Sequence, residues 1–298
     1  MPAEVSSLPS VAKKRMSDEY TDSILYERLS RTVSKESPFS EALRQLSATE
    51  HRHYEFWKRY APGEEPTVAR AKLYWVLFLR RLFGLTFASR YLDRHESNVI
   101  NDYKGMSQMI PPEDRASFEE MVADEQDHEK AFELKIESSA IQYISFVVLG
   151  LADALVEITG IHAGSLGIYN RTEYAGLAGV VAGAAASLAM ASAAFAQAKQ
   201  GFKGSARLSA IYTGVSYFIT AIILATPYFL TPSMIYALSS SMVLAVIIVT
   251  LITYYSTVIS GKPFLRDFLE IVVIMLAVTV VLYFFGSFIG VSTGIRIS

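Results

Sequence analysis

From about residue 141 onward the chain is a succession of long apolar runs. No charged side chain lies between Glu173 and Lys199, between Arg207 and Lys262, or between Glu270 and Arg296. A bilayer core takes roughly 20 apolar residues per helix. Prolines and polar turns cut the runs into five segments of that size, 141–168, 175–197, 208–230, 233–258 and 268–291, with Thr231-Pro232 as a tight turn between the third and fourth. The earlier part has a different rhythm. Over 17–138 apolar residues recur at steps of three and four, the period of amphipathic helices. Breaks fall at Ser37-Pro38, from Ala61-Pro62-Gly63 to Pro66, and from Gly105 to Pro111-Pro112. This predicts helices over 18–36, 39–60, 67–104 and 112–138, behind a flexible N-terminus at 1–16. Four helices with short links suggest an antiparallel bundle. The expected architecture is all-α: a four-helix bundle (17–138) followed by a five-helix membrane domain (139–298).

Charge sharpens the division. The chain has 298 residues, no cysteine and a formal net charge of −2. Its first 140 residues hold 20 of the 27 Lys+Arg and 24 of the 29 Asp+Glu. A single globular domain, a disulfide-stapled secreted protein and a disordered chain are all excluded by this split, and the balanced charge gives no sign of nucleic-acid binding. Lys199, Lys203 and Arg207 lie between the second and third runs, and Lys262 and Arg266 between the fourth and fifth. The positive-inside rule puts both loops, and the N-terminal half, in the cytoplasm, with Arg171 a lone contrary charge in the first outer loop. No signal peptide is expected, because Lys13-Lys14-Arg15 leads into Asp18-Glu19 rather than an apolar stretch.

Candidate chemistry sits where the apolar pattern is broken. The second helix reads Phe39, Leu43, Leu46, then Glu50, His53 and Trp57; the fourth reads Phe118, Met121, then Glu125, His128 and Phe132; the third reads Leu85, Ser89, Leu92, then Glu96, Val99 and Tyr103. Each stripe should face the bundle core, and each places a carboxylate where an apolar residue belongs. Unpaired charge there is costly, so something must neutralise it. Glu50-x-x-His53 and Glu125-x-x-His128 each put two ligands on one face, one turn apart. Two such pairs, with one Glu from each other helix, form the donor set of a carboxylate-bridged di-iron or di-manganese centre. Glu27 and Glu96 are the two single acids. Carboxylate and imidazole suit Fe²⁺ and Mn²⁺. Asp93 and Glu129 are candidate extra ligands, and His51 and His95 fall off the core faces. The run from Leu73 to Phe83 is apolar on nearly all sides and fits either a dimer contact or a membrane surface.

Within the first apolar run, Asp153 and Glu157 are four apart and share a helix face. An acid in hydrocarbon costs about 2.5–3.5 kcal/mol on the insertion scale, so that face should meet a water-filled path or another helix. Two acids without a basic partner in the spans argue for a cation or proton site. His162 lies further along the same run. Small residues (Gly160, Ala163, Gly164 and Gly167 in the first run, Gly176, Gly179 and Gly183 in the second) fit close helix packing or a lining role equally well. Met190, taken alone, reads as packing.

Through Glu27, Glu50-x-x-His53, Glu96 and Glu125-x-x-His128, the first half resembles ferritin-like domains of the rubrerythrin type. The second half resembles the vacuolar iron transporter family. Gly150-Leu-Ala-Asp-Ala-Leu-Val-Glu-Ile-Thr-Gly160 is similar to that family's first-span motif, and Leu188-Ala-Met-Ala-Ser192 to its second-span motif. The fusion resembles membrane-bound ferritin proteins. The resemblance implies export of cytosolic Fe²⁺ (or Mn²⁺) across the inner membrane by proton antiport, with Asp153 as pore aspartate and Met190 as pore methionine. The family's Gly-Glu-Tyr reads Ala193-Ala194-Phe195 here, and Glu157 is the expected substitute for the missing glutamate. The link over 200–206 is short where the family carries a metal-binding insert, a part the bundle is expected to take over. A homodimer is expected, with the path at its interface between the first two spans. The fourth helix is expected to run unbroken into the first span. His128 and Asp153 would then stand about 37 Å apart along it, with Glu133 and Glu137 as stepping points. The alternatives are a membrane-anchored di-iron oxidase and a metal-gated channel.

Overall fold

The structure is a computed structural model and describes residues 8–34, 36–92, 103, 106–135, 139–261 and 263–293, with the side chains of 38, 126–135 and 139–142 outside the description. Every regular element among the described residues is helical, and the chain divides into two compact units, Met1–Ser138 and Ser139–Ser298.

In the first unit, α1 spans Leu8–Ser30 and α2 spans Pro38–Lys58. The helix α1 begins ahead of the expected 18, because Ala12, Arg15 and Met16 are buried and carry its apolar stripe back into the segment read as a flexible terminus. Pro at the first position of α2 and the Ser37 hydroxyl, which accepts from Phe39 N, fix where that helix starts. Ser47 Oγ donates to Ser23 O, and Ser40 Oγ to Ser30 O. One index falls as the other rises, so α1 and α2 are antiparallel. Segment 61–69 then returns along α1. Thr67 N donates to Ser17 Oγ, Ala69 N to Thr21 Oγ1, Lys72 pairs with Asp22, and Arg80 Nε donates to Thr32 Oγ1. Both indices now rise together, so α3 (Arg70–Phe83) runs parallel to α1.

The expected third helix is interrupted. Gly84 adopts φ +91°, a conformation that ends α3, and helix resumes as α4 over 85–92. In α3, Leu73, Val76 and Leu79 are buried while Tyr74, Trp75, Phe78 and Leu82 are exposed. The all-round apolarity in the sequence is thus two apolar faces, one of them uncovered. The helix α5 spans Arg115–Lys135. Its contacts with α2, Arg52 to Asp124 and Arg59 to Asp114, make it antiparallel to α2. Ala12 and Met16 of α1, Trp57 of α2, Tyr103, and Phe118 and Met121 of α5 meet in one apolar cluster.

The second unit holds α6 (Ser139–Ser165), α7 (Thr172–Ala198), α8 (Ala206–Leu230), α9 (Met234–Ser260) and α10 (Phe264–Thr293). All five are long and apolar enough to cross a membrane. The last starts four residues before the expected 268, which brings Arg266 and Asp267 into the helix. Gly160 and Gly164 of α6, and Gly167 just past its end, pack against α10, whereas Gly150 meets α8. A Cβ on Gly286 would lie 2.0 Å from Gly164 O, and one on Gly290 2.0 Å from Gly167 O. Backbone contact of that kind excludes every larger residue. Gly176 and Gly183 of α7 lie against the side chains of Tyr228 and Ala221 of α8.

Gly286→Val is therefore expected to push α6 and α10 apart. Overpacking costs about 1–3 kcal/mol, or a Tm loss of roughly 3–10 °C, which thermal unfolding in detergent measures.

Candidate metal centre and the acidic span

On α1 the residues Ala12, Met16, Glu19, Ser23, Tyr26 and Ser30 follow steps of four and three and are all buried. On α2, Leu43, Leu46, Glu50, His53 and Trp57 do the same, and on α5, Phe118, Met121 and Glu125. Where the three stripes meet, one ligand atom each from Glu19, Glu50, His53 and Glu125 lies within 4.8 Å of the others. His53 Nδ1 is 3.1 Å from Glu125 Oε1, 3.6 Å from Glu50 Oε2 and 3.9 Å from Glu19 Oε2. Its other nitrogen, Nε2, is 3.4 Å from Asp124 Oδ2, and Arg52 holds that carboxylate at 3.2 Å. A carboxylate behind a ligand histidine fixes its ring and tautomer, which leaves Nδ1 for a metal.

The surroundings are dry and aromatic. Trp57 Nε1 donates to Tyr103 Oη at 3.3 Å, and Tyr103 Oη donates in a short bond to Glu19. The Arg15 guanidinium lies 5.0 Å above the Tyr103 ring. Burial, with the charges of Glu50 and Glu125 added, holds the Glu19 carboxyl well above the usual carboxylate range. Burial works to deprotonate His53, but its bonds to Glu125 and Glu50 overcome this and push the imidazole up to about 11. One turn on, burial raises Asp22 to about 6 against the opposing charge of Lys72. Without a cation, protons on Glu19 and His53 offset most of the cluster's negative charge. Three carboxylates and one imidazole are a hard-to-borderline donor set that could hold a divalent metal ion in place of those protons.

The sequence-expected ligands divide. Glu50, His53 and Glu125 are brought together. Glu27 is not: it is half exposed and pairs with Arg31 at 2.6 Å. The acid from α1 is Glu19. Eight positions separate the two, about 12 Å along the axis and 80° around it, so one helix cannot aim both at a common point. The stripe of α1 from Ala12 to Ser30 contains Glu19 and omits Glu27, which is the signal that separates them. Glu96, Asp93 and His95 lie outside the described residues, as do Glu137 and the side chains of His128, Glu129 and Glu133. The continuity of α5 into α6 falls there too. His51 is exposed and lies 4.0 Å from Glu55.

In the second unit, Asp153 and Glu157 lie half-buried on α6, and Tyr217 Oη of α8 donates to Glu157 Oε2 at 2.6 Å. Tyr217 itself is fully buried. Met190 of α7 packs against the apolar cluster around Leu155, Ile158 and Tyr217. His162 is fully buried, its ring 4.2 Å from that of Tyr228 and its Nε2 against Gly179. No pattern marked Tyr217, and Tyr103 stood only as a member of the third helix's stripe, since a tyrosine there looks like any other core aromatic.

Metal affinity should climb with pH. A cation must expel the protons of Glu19 and His53, and both groups hold them more tightly than in water. Each proton released makes log K rise by about one per pH unit, so affinity gains between 10- and 100-fold from pH 6 to pH 7. Mn²⁺ titration calorimetry in buffers of different ionisation enthalpy measures both the slope and the proton count. Comparison of the chain with family models, with curated proteins and with solved structures gives no match.

Proposed function

We propose that this chain is a multi-pass membrane transporter that moves Fe²⁺ or Mn²⁺ out of the cytoplasm in exchange for protons. In this reading the first unit is a ferritin-like domain that captures the ion at Glu19, Glu50, His53 and Glu125. The second is a membrane domain of the vacuolar iron transporter type, working as a homodimer in the inner membrane with its N-terminus inside. The observation that carries the reading is the buried Glu/His cluster, on a chain whose other unit has five membrane-length helices and two acids on the first of them. Asp153 and Glu157 would take the ion in the span, Met190 would supply a soft contact, and Tyr217 would hold Glu157 in place. Proton binding at Asp153 or Glu157 would release the ion on the far side.

Metal uptake into inverted vesicles tests this. Asp153→Ala should abolish uptake, whereas Glu50→Gln should lower it several-fold at limiting metal and less at saturation. Unchanged uptake after Asp153→Ala defeats the transport assignment, and a rise after Glu50→Ala would mean that the cluster gates a channel.

A membrane-anchored oxidase is the second reading, favoured by the Trp57–Tyr103–Glu19 chain of hydrogen bonds beside the cluster. There Fe²⁺ would be oxidised to Fe³⁺ with O₂ as the electron acceptor. Under the transport reading, uptake persists in the absence of oxygen and survives Tyr103→Phe. Oxygen consumption that scales with added Fe²⁺, falls several-fold in Tyr103→Phe and is accompanied by no flux would establish the oxidase instead.

A further inference from the structure

A second polar site lies in the membrane unit, away from Asp153 and Glu157. Where α9 ends and α10 begins, a cavity of about 240 Å³ is walled by Ile252 and Ile271 and lined by four oxygen-bearing side chains, Thr253 and Ser256 of α9 and Asp267 and Glu270 of α10. Asp267 and Glu270 are three apart and share a helix face. Neither forms an ion pair among the described residues. Two carboxylates on a membrane-length helix need a positive partner, and the neighbouring turns of α9 supply hydroxyls instead.

Thr253 shows that the cavity is more than a gap beside two headgroup-level acids. Several threonines in these helices return their hydroxyl to the carbonyl four residues back, as Thr250 does to Val246 and Thr279 to Met275. Thr253 and Thr257 of α9 do not, and of these two only Thr253 borders the cavity. Thr253 is 1% exposed, and its Oγ1 is buried without a hydrogen-bond partner. A buried hydroxyl that forgoes its own helix is set for something in the space it faces. Val148 of α6 also borders the cavity. Nine positions at 100° each put Glu157 on the opposite side of α6, so the two acidic sites are separated by the helix.

We propose that Asp267, Glu270, Thr253 and Ser256 bind a hard divalent cation of the Mg²⁺, Ca²⁺ or Mn²⁺ class. Every donor is oxygen, two are anionic, and among the described residues lining the cavity no side-chain nitrogen or sulfur favours a softer metal. The site stands on its own geometry and does not depend on what the protein carries.

Mn²⁺ binding to the purified full-length protein, followed by electron paramagnetic resonance, tests the proposal in a Glu50→Gln/Asp153→Asn background that disables both other sites. One Mn²⁺ per chain should remain. Asp267→Asn/Glu270→Gln should remove it, Thr253→Val should weaken it several-fold, and Thr253→Ser should restore it. Retention of that Mn²⁺ in the Asp267→Asn/Glu270→Gln protein overturns the site. If the double variant does not fold, the absence of cysteine from the chain permits a reporter. In Ile271→Cys, with all four donors intact, Mn²⁺ should slow maleimide labelling, and labelling indifferent to Mn²⁺ overturns the proposal equally.

Discussion

The first unit is organised around negative charge gathered out of water. Two carboxylates about 4 Å apart repel by about 4 kcal/mol at an effective dielectric near 20. Three of them around His53, all ionised and with no counter-charge, would strain the fold by an amount comparable with the whole stability of a domain. The surrounding contacts keep the cluster assembled against this. Serine hydroxyls of α2, donating to backbone carbonyls of α1, lock the register that sets Glu19 opposite Glu50. Asp124, itself held by Arg52, orients the imidazole. Protons on Glu19 and His53 reduce the remaining charge in the absence of metal. A divalent cation could take the place of those two protons at little change in net charge.

The membrane unit meets the same constraint by a different route. Glu157 accepts a hydrogen bond from a phenolic hydroxyl of α8, a neutral donor. It lies on α6, which packs against each of the other four helices of its unit. Backbone contact between Gly164 and Gly286, and between Gly167 and Gly290, draws α10 onto one side of α6, and α8 closes another. Close packing of this kind limits how far α6 can tilt or rotate, so a change in the charge state of its acids must be taken up by the neighbouring side chains.

What the sequence could reveal follows from how each feature is encoded. Helix lengths and the five membrane-length segments are properties of local hydrophobic runs, and they read directly from residues such as those between Arg207 and Lys262. Glu50, His53 and Glu125 are equally local, since each replaces an apolar residue on a strongly periodic stripe. Glu19 is less legible, because the stripe of α1 that carries it is built from Ala, Ser and Tyr as well as Met and stands out only once burial is known. The break at Gly84 was missed because apolar periodicity continues across it, and only a backbone angle betrays the interruption. Tyr217, Tyr103 and the pairing of Gly164 with Gly286 depend on which helices meet, a tertiary fact that no spacing within one segment contains.

The transporter and oxidase readings differ in what they require of the second unit. An anchor needs apolar surface of bilayer length and nothing more, and any of α7 to α10 supplies that alone. Placing Asp153 and Glu157 in α6 carries a desolvation cost that an anchor never recovers, and burying Tyr217 to serve Glu157 commits a second helix to the same purpose. Glycine contacts at backbone distance are a further constraint without benefit to a passive tether. The aromatic chain at Glu19 asks less, because Trp57 and Tyr103 also fill the apolar cluster they belong to and would be retained for packing alone. The features that are expensive and otherwise purposeless thus lie in the membrane unit, and they weigh toward the movement of an ion through it.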